Sequence, residues 1–186
     1  MNAPEPRLRT ARLLLRPANP ADATAVHEYR ADPNIATYLT QPALSLEQVR
    51  QRLRTAADRW TRSDHQRFHL LFTVLADDTI IGEVQAVNCT ERGKPTSPDP
   101  TEVWVSYVFN PRHQGHGYAT EAVRDVCSWL FRRGAARIFA NLYTANTPSY
   151  QLLHRLGFQE HQRLSADEDT LGKNLPSVRM RLDAPG

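Results

Sequence analysis

The sequence reads as a single α/β (α+β) domain, and three observations predict it. Val103, Val105, Tyr107 and Phe109 alternate along one run, which is the period of a half-buried strand. Directly after it, Gly115 and Gly117 punctuate a short loop, and Ala119, Ala122, Val123, Val126 and Leu130 then recur at helical spacing. Strand-like and helix-like runs alternate through the rest of the 186 residues, a length that suits one sizeable core and not two. The predicted domain is therefore residues 1–186, with its core at about 8–183.

Taken in order, residues 1–6 read as a loose N-terminus. Thr10–Pro17 is a first strand, stopped by Pro17. Asn19-Pro20 is a cap followed by proline at the first helical position, opening a helix that ends before Pro33. Asn34–Ala43 is a connection carrying Ile35, Tyr38 and Leu39. Ser45 and Gln48 form a capping box, and Leu46, Val49, Leu53, Ala56, Ala57 and Trp60 make one apolar stripe behind it. Arg67–Ala76 is a strand with Phe68, Leu70, Phe72 and Val74 on one face. Asp77-Asp78 turns it back into Thr79–Cys89. The loop Glu91–Pro100 precedes the central strand, loop and helix, and Gly134 offers that helix a left-handed cap after Arg132 and Arg133. Ala136–Leu142 is strand-like, Asn146–Phe158 holds a short helix with an Asn or Thr cap, Pro148 in its first turn and Gly157 just past its end, and Phe158 re-enters a strand. Ser165–Pro176 is a polar loop before a last strand carrying Val178, Met180 and Leu182.

Composition excludes several classes. Hydrophobic content of 40% and charged content of 23% are ordinary for a globular protein. No apolar run approaches a bilayer span and no signal peptide opens the chain, so a membrane partner is not expected. Two cysteines cannot build a disulfide framework or a metal cage, and a cytoplasmic location is the expectation. The net charge of +3 is mild and its arginines are scattered, so nucleic acid is not expected either.

The central unit builds an anion site, because two glycines turn backbone N–H groups toward the positive end of a helix dipole. A phosphate loop of the Walker type needs Lys-Ser/Thr after its last glycine, where Tyr118 and Ala119 stand. A dinucleotide fingerprint needs a third glycine, where Thr120 stands. The run that remains, Arg112-His113-Gln114-Gly115-His116-Gly117-Tyr118-Ala119, resembles the pyrophosphate loop of the GNAT acetyltransferase superfamily. Tyr118-Ala-Thr-Glu-Ala122 is similar to the branch related to ribosomal-protein N-acetyltransferases, as is the first strand. The stretch Asn146-Thr-Pro-Ser149 with Leu156-Gly157-Phe158 is similar to the same family's second cofactor segment.

The resemblance implies a mixed, largely antiparallel sheet that splays, with helices on both faces. It implies acetyl-CoA as cofactor, held by Arg112, Gln114, Gly115, His116, Gly117, Tyr118, Ala119 and Thr120 at the diphosphate and by Asn146 at the pantetheine arm. Backbone N–H near Val108 or Phe109 would polarise the thioester carbonyl. An amine, either a small molecule such as an antibiotic or a protein N-terminus, would attack directly in a ternary complex. Relatives often place a tyrosine acid seven residues after the asparagine. Here that position is Leu153, so Ser149, three residues after Asn146, is the candidate acid, against ordinary first-turn helix chemistry. Where relatives carry a glutamate base this chain has Trp104. Glu102, on the same strand face and displaced by roughly 7 Å, is the candidate base, with Glu83 in reserve. His113 and His116 lack a third ligand at metal-binding spacing, and Cys127 is expected to be a buried, inert thiol. A non-catalytic acyl-CoA-binding regulator and a nucleotide-binding module are the alternatives. The acceptor and the oligomeric state, a homodimer among the options, are open at this point.

Overall fold

The computed structural model describes residues 7–64, 66–90 and 96–186. The expected loose N-terminus (1–6) and the first half of the expected loop, 91–95, lie outside the described residues. Eight strands form one sheet in the order β1-β2-β3-β4-β5-β6-β8-β7. They are β1 (Leu8–Arg9), β2 (Leu13–Pro17), β3 (His69–Ala76), β4 (Thr79–Val87), β5 (Glu102–Phe109), β6 (Arg137–Tyr143), β7 (Gln159–Leu164) and β8 (Ser177–Asp183). Five α-helices accompany them: α1 (Ala23–Arg30), α2 (Pro33–Ala36), α3 (Leu46–Arg62), α4 (Tyr118–Arg132) and α5 (Thr147–Arg155). The expected connection at 34–43 thus begins with one short helical turn, which Asp32 caps by accepting from Asn34 N–H.

Local chemistry explains the framework. Ser45 and Gln48 close a reciprocal capping box at the start of α3. Asp77 and Asp78 adopt φ of 45° and 62°, the left-handed pair that a two-residue hairpin between β3 and β4 requires. Alternation in β3 then divides the interior. Leu70, Phe72 and Val74 pack with Val123, Val126 and Leu130 of α4, while Leu71 on the other face packs with Val26 of α1 and with Val49 and Leu53 of α3. Trp60, at the end of α3, ties that helix into the larger cluster by meeting Phe72 edge-on at 4.9 Å.

The sheet is antiparallel everywhere except between β5 and β6. These two pair in parallel over three rungs, Glu102 with Arg137, Val103 with Ile138 and Trp104 with Phe139. Beyond Trp104 they part: β5 stays with β4 as far as Phe109, and β6 stays with β8 as far as Tyr143. The outer half of β5 therefore has no strand on one side, and a wedge-shaped notch opens in the middle of the sheet.

Gly82 holds the opposite edge of β5 in place. A Cβ there would stand 2.5 Å from the Phe109 ring and 2.7 Å from the Val108 carbonyl oxygen, closer than any real side chain sits to backbone. Gly82→Ala is expected to destabilise the fold by about 1–3 kcal/mol through this overpacking. Urea denaturation checks it, and an unchanged midpoint would show that β5 yields freely at its outer end.

Candidate active site

The amides that face the notch follow from strand parity. Asn110 N–H donates to Ile81 O at 2.8 Å, and the pairing of β4 with β5 runs without a shift through Glu83–Val108. Antiparallel alternation then turns residues 106 and 108 toward β4 and residues 105, 107 and 109 toward β6, and past the last rung at Trp104–Phe139 residues 107 and 109 face the notch. The expectation of an amide near Val108 or Phe109 resolves to Phe109, with Tyr107 behind it. Val108 contributes its side chain to the cleft, while its N–H belongs to the sheet.

A cavity of about 1370 Å³ lies along this edge and includes Phe109, Gln114, Gly115, Gly117, Tyr118, Ala119 and Thr120. Gly115 and Gly117 take φ of 82° and 75°, a conformation that other residues adopt only under strain. Gly117 is the N-cap of α4 and offers no side chain to the first-turn amides, so their N–H groups are left for an anion. A diphosphate fits this cradle. Two expected contributors stand apart from it. The Arg112 side chain is 79% exposed and reaches toward Glu28 at 3.5 Å instead of the cavity. His116 does not line the cavity either; its ring stacks on Tyr118.

What the sequence did not reveal is a clamp on this loop, at the edge of the same cavity. Arg12, from the turn between β1 and β2, donates to the His116 carbonyl at 2.9 Å and to Glu121 at 2.7 Å, and its guanidinium lies over the Tyr118 ring. Thr10 also donates to Glu121. Partial burial alone would raise the Glu121 pKa, but the bonds from Thr10 and Arg12 outweigh it and hold the carboxyl below its ordinary range. A depressed carboxylate stabilises the fold above its unfolded pKa and loses that contribution as pH falls through the folded one. Arg12→Ala should therefore cost stability at neutral pH, with the gap from wild type closing in acid. Denaturation at a series of pH values reads it; a gap that is constant with pH would mean Arg12 acts by packing alone.

Asn146 and Ser149 meet the notch from the other side. Asn146 caps α5, its side chain accepting from Ser149 N–H at 3.3 Å. Ser149 Oγ lies 2.6 Å from the Tyr107 hydroxyl, a contact between α5 and the open edge of β5 that no sequence pattern foretells. Burial pushes the Tyr107 phenol up to about 12, so it stays protonated at neutral pH and can donate to Ser149. Leu153 is buried. Cys127 is also buried, its thiol pushed up to about 12 by desolvation, so it is no nucleophile. Among the described residues no group of three or more His, Cys, Asp or Glu could hold a metal ion.

A second cavity, of about 590 Å³, shares Tyr38, Leu39, Tyr107, Val108, Asn146 and Ser149 with the first. The pair Tyr107–Ser149 thus stands where two chambers join. Trp104, stacked on Phe139, lines the second chamber. Glu102 does not, and the candidate base is corrected on that geometry. It sits at the closed end of the notch, bonded by Ser97 Oγ and 3.1 Å from Arg137 Nε. The register that places it on the face of Trp104 also places it on a rung where β5 and β6 are still joined. Glu83 does line the second chamber. It is 1% exposed and held by both Arg30 and Arg52. Burial favours its neutral form, but the two guanidiniums together outweigh that and lower its pKa.

Comparison with known proteins agrees with this architecture. The Acetyltransferase (GNAT) domain family matches residues 12–159. The uncharacterized N-acetyltransferase p20 of Bacillus licheniformis is 28% identical over 168 residues, covering 89% of each chain. The acetyltransferase of Salmonella typhimurium that modifies an N-terminal serine of a 50S ribosomal subunit protein superposes with a TM-score of 0.78 at 16% identity, over 95% of this chain and 97% of that one. The aminoglycoside acetyltransferase AAC(6')-Ib, solved with coenzyme A, superposes with a TM-score of 0.72 at 16% identity, over 92% and 94%. Among the described residues no helix is long and apolar enough to cross a membrane. With a family match over most of its length and a splayed sheet beside a glycine-capped helix, this chain belongs to the GNAT acetyltransferase domain family.

Proposed function

We propose that this acetyltransferase moves an acetyl group from acetyl-CoA to a primary amine by direct attack within a ternary complex. The observation that carries the reading is the junction of the two cavities at Tyr107, Val108, Asn146 and Ser149, beside the open edge of β5. When bound, acetyl-CoA supplies an acetyl thioester. The first-turn amides of α4 and the Gly115–Gly117 loop hold its diphosphate, and the outward amides of β5 lie along the path to the junction. The Phe109 N–H accommodates negative charge on the carbonyl oxygen as the amine adds. The amine nitrogen forms the new bond to carbon, the carbon–sulfur bond breaks, and Ser149 gives a proton to the departing sulfur. Tyr107 donates to Ser149 Oγ, which leaves the serine proton directed into the notch and supports the charge the serine acquires.

The amine's own proton goes to water, and water returns a proton to Ser149, so the serine ends each turnover as it began. Glu102 lies outside the cleft, and Glu83 is a weak base while two guanidiniums hold it. Cationic surroundings also disfavour an ammonium and so lower the pKa of a bound amine. Acceptors from a ribosomal-protein N-terminus to an aminoglycoside amine are processed by proteins of this fold, and the second chamber is where such acceptors would be chosen.

The test is amine-dependent release of free thiol from acetyl-CoA. Gly117→Asp places a negative charge in the cradle and should weaken coenzyme A binding at least about tenfold, which is about 1.4 kcal/mol. Calorimetry measures it, and unaltered affinity in a folded variant would remove the loop from the site. Ser149→Ala should lower kcat while leaving coenzyme A affinity nearly unchanged, because its interaction grows only as charge develops on sulfur. A wild-type kcat would reduce Ser149 to a helix-forming residue.

A further inference from the structure

We infer that the acceptor carries a carboxylate close to its reacting amine, and that Arg52 binds it. This rests on the reading of the second chamber as the acceptor site. Charges at Glu83 are unequal in number. Both oxygens of Glu83 are engaged, one by Arg30 Nε at 2.8 Å and the other by Arg52 Nη1. Arg30 is 8% exposed and its pairing with Glu83 is already neutral. Arg52 is then a surplus cation, its side chain only 18% exposed. A cation withdrawn from water is costly unless an anion meets it.

The chamber itself offers none. Among the described residues Glu83 is the one carboxylate on its lining, against Arg30, Arg52 and Arg59. His69 does not alter the balance toward acid. A guanidinium only donates, so the 3.3 Å contact of Arg59 with His69 Nε2 requires that nitrogen to keep its lone pair. Arg52 makes its side-chain hydrogen bond among the described residues through Nη1 alone. Its other guanidinium N–H groups therefore remain as donors, in the fork geometry that suits a carboxylate.

Position supports the same partner. Glu83 is the cross-strand neighbour of Val108, so it sits about 5.5 Å away, Cα to Cα, from a residue of the junction. An acceptor with its amine at Tyr107–Ser149 and its carboxylate at Arg52 is a small amino acid or the N-terminus of a peptide with an acidic residue near its start. A polycationic amine meets the wrong sign of charge in this chamber.

The decisive measurement is binding of N-acetylated products to the protein saturated with coenzyme A, which does not depend on turnover. N-acetylglycine, N-acetyl-β-alanine and N-acetylglutamate are each compared with the corresponding amide. A second arm compares N-acetyl-Ala-Glu amide with N-acetyl-Ala-Gln amide, and N-acetylputrescine is the cationic control. The acid should bind at least about tenfold tighter than its amide in one of the two arms, and that arm identifies a free amino acid or a peptide as the source of the carboxylate. Arg52→Gln should erase the difference, Arg52→Lys should keep part of it, and both should retain coenzyme A binding. If Arg52→Gln does not fold, the acid–amide comparison in wild type and Arg52→Lys still decides. Equal binding of acid and amide in both arms, or tighter binding of N-acetylputrescine, overturns the inference. Acid selectivity without amine-dependent thiol release would sink the proposed reaction and leave the anion site standing; release with no acid selectivity would do the reverse.

Discussion

The structure depends on one constraint, the parting of β5 from β6 after three parallel rungs. A sheet interior normally satisfies every backbone group with a neighbouring strand, and leaving a row of amides unpaired there costs free energy. Here each parted strand is secured on its other side, β5 by β4 and β6 by β8. The opening persists because both walls are independently anchored. Gly82 lets β4 and β5 approach closely at the outer end, and the first turn of α5 lines the widening gap with Asn146 and Ser149. The unpaired amides and the Tyr107–Ser149 contact are two consequences of that one topological fact. A ligand that satisfies the amides completes the sheet, so binding repairs a local deficit that the fold maintains.

Much of the framework was legible because local rules and global burial agree. The hairpin at Asp77-Asp78, the capping box at Ser45 and the strand-loop-helix around Gly117 each have a signature within a few residues, and each stands where its signature lies. Phosphate-loop glycines are readable for the same reason: positive φ leaves glycine as the favoured choice. The Arg12 clamp was not readable, since Arg12 and Glu121 are 109 residues apart and no periodicity links them. Tyr107 was read correctly as a strand residue, but its hydroxyl partner on α5 depends on how far the sheet splays. No local pattern encodes an angle between strands.

Glu102 shows the same limit in another form. Sequence parity correctly puts Glu102 and Trp104 on one face, and a shift of two residues looks small. Along a strand that shift is roughly 7 Å, and here it leads from the last joined rung, at the apex of the notch, back into the closed sheet. Residue 104 still touches the chamber, while residue 102 is tied into an ion pair with Arg137 where the sheet is closed. A carboxylate in that setting is held by Ser97 and Arg137 and does not line the chamber. Face is set by parity, but access is set by where two strands separate, and only topology supplies the second.

Electrostatics then divides the cleft by function. On one side, the proposed anion cradle is made of backbone dipoles whose strength does not change with pH, and Arg12 holds the loop in shape from the cavity wall. On the other side, charged side chains set the field, with Glu83 buried between Arg30 and Arg52. That arrangement would be wasteful for a general base, because each guanidinium makes the carboxylate less willing to take a proton. It is suited to a different task. A net-positive chamber lowers the proton affinity of a bound amine and rewards an anion beside it, so one group of residues both favours the neutral nucleophile and selects the molecule that carries it. Binding energy from the remote carboxylate can then be used to hold the amine in line with the acyl carbon. The missing base and the surplus arginine are, on this view, two aspects of one design.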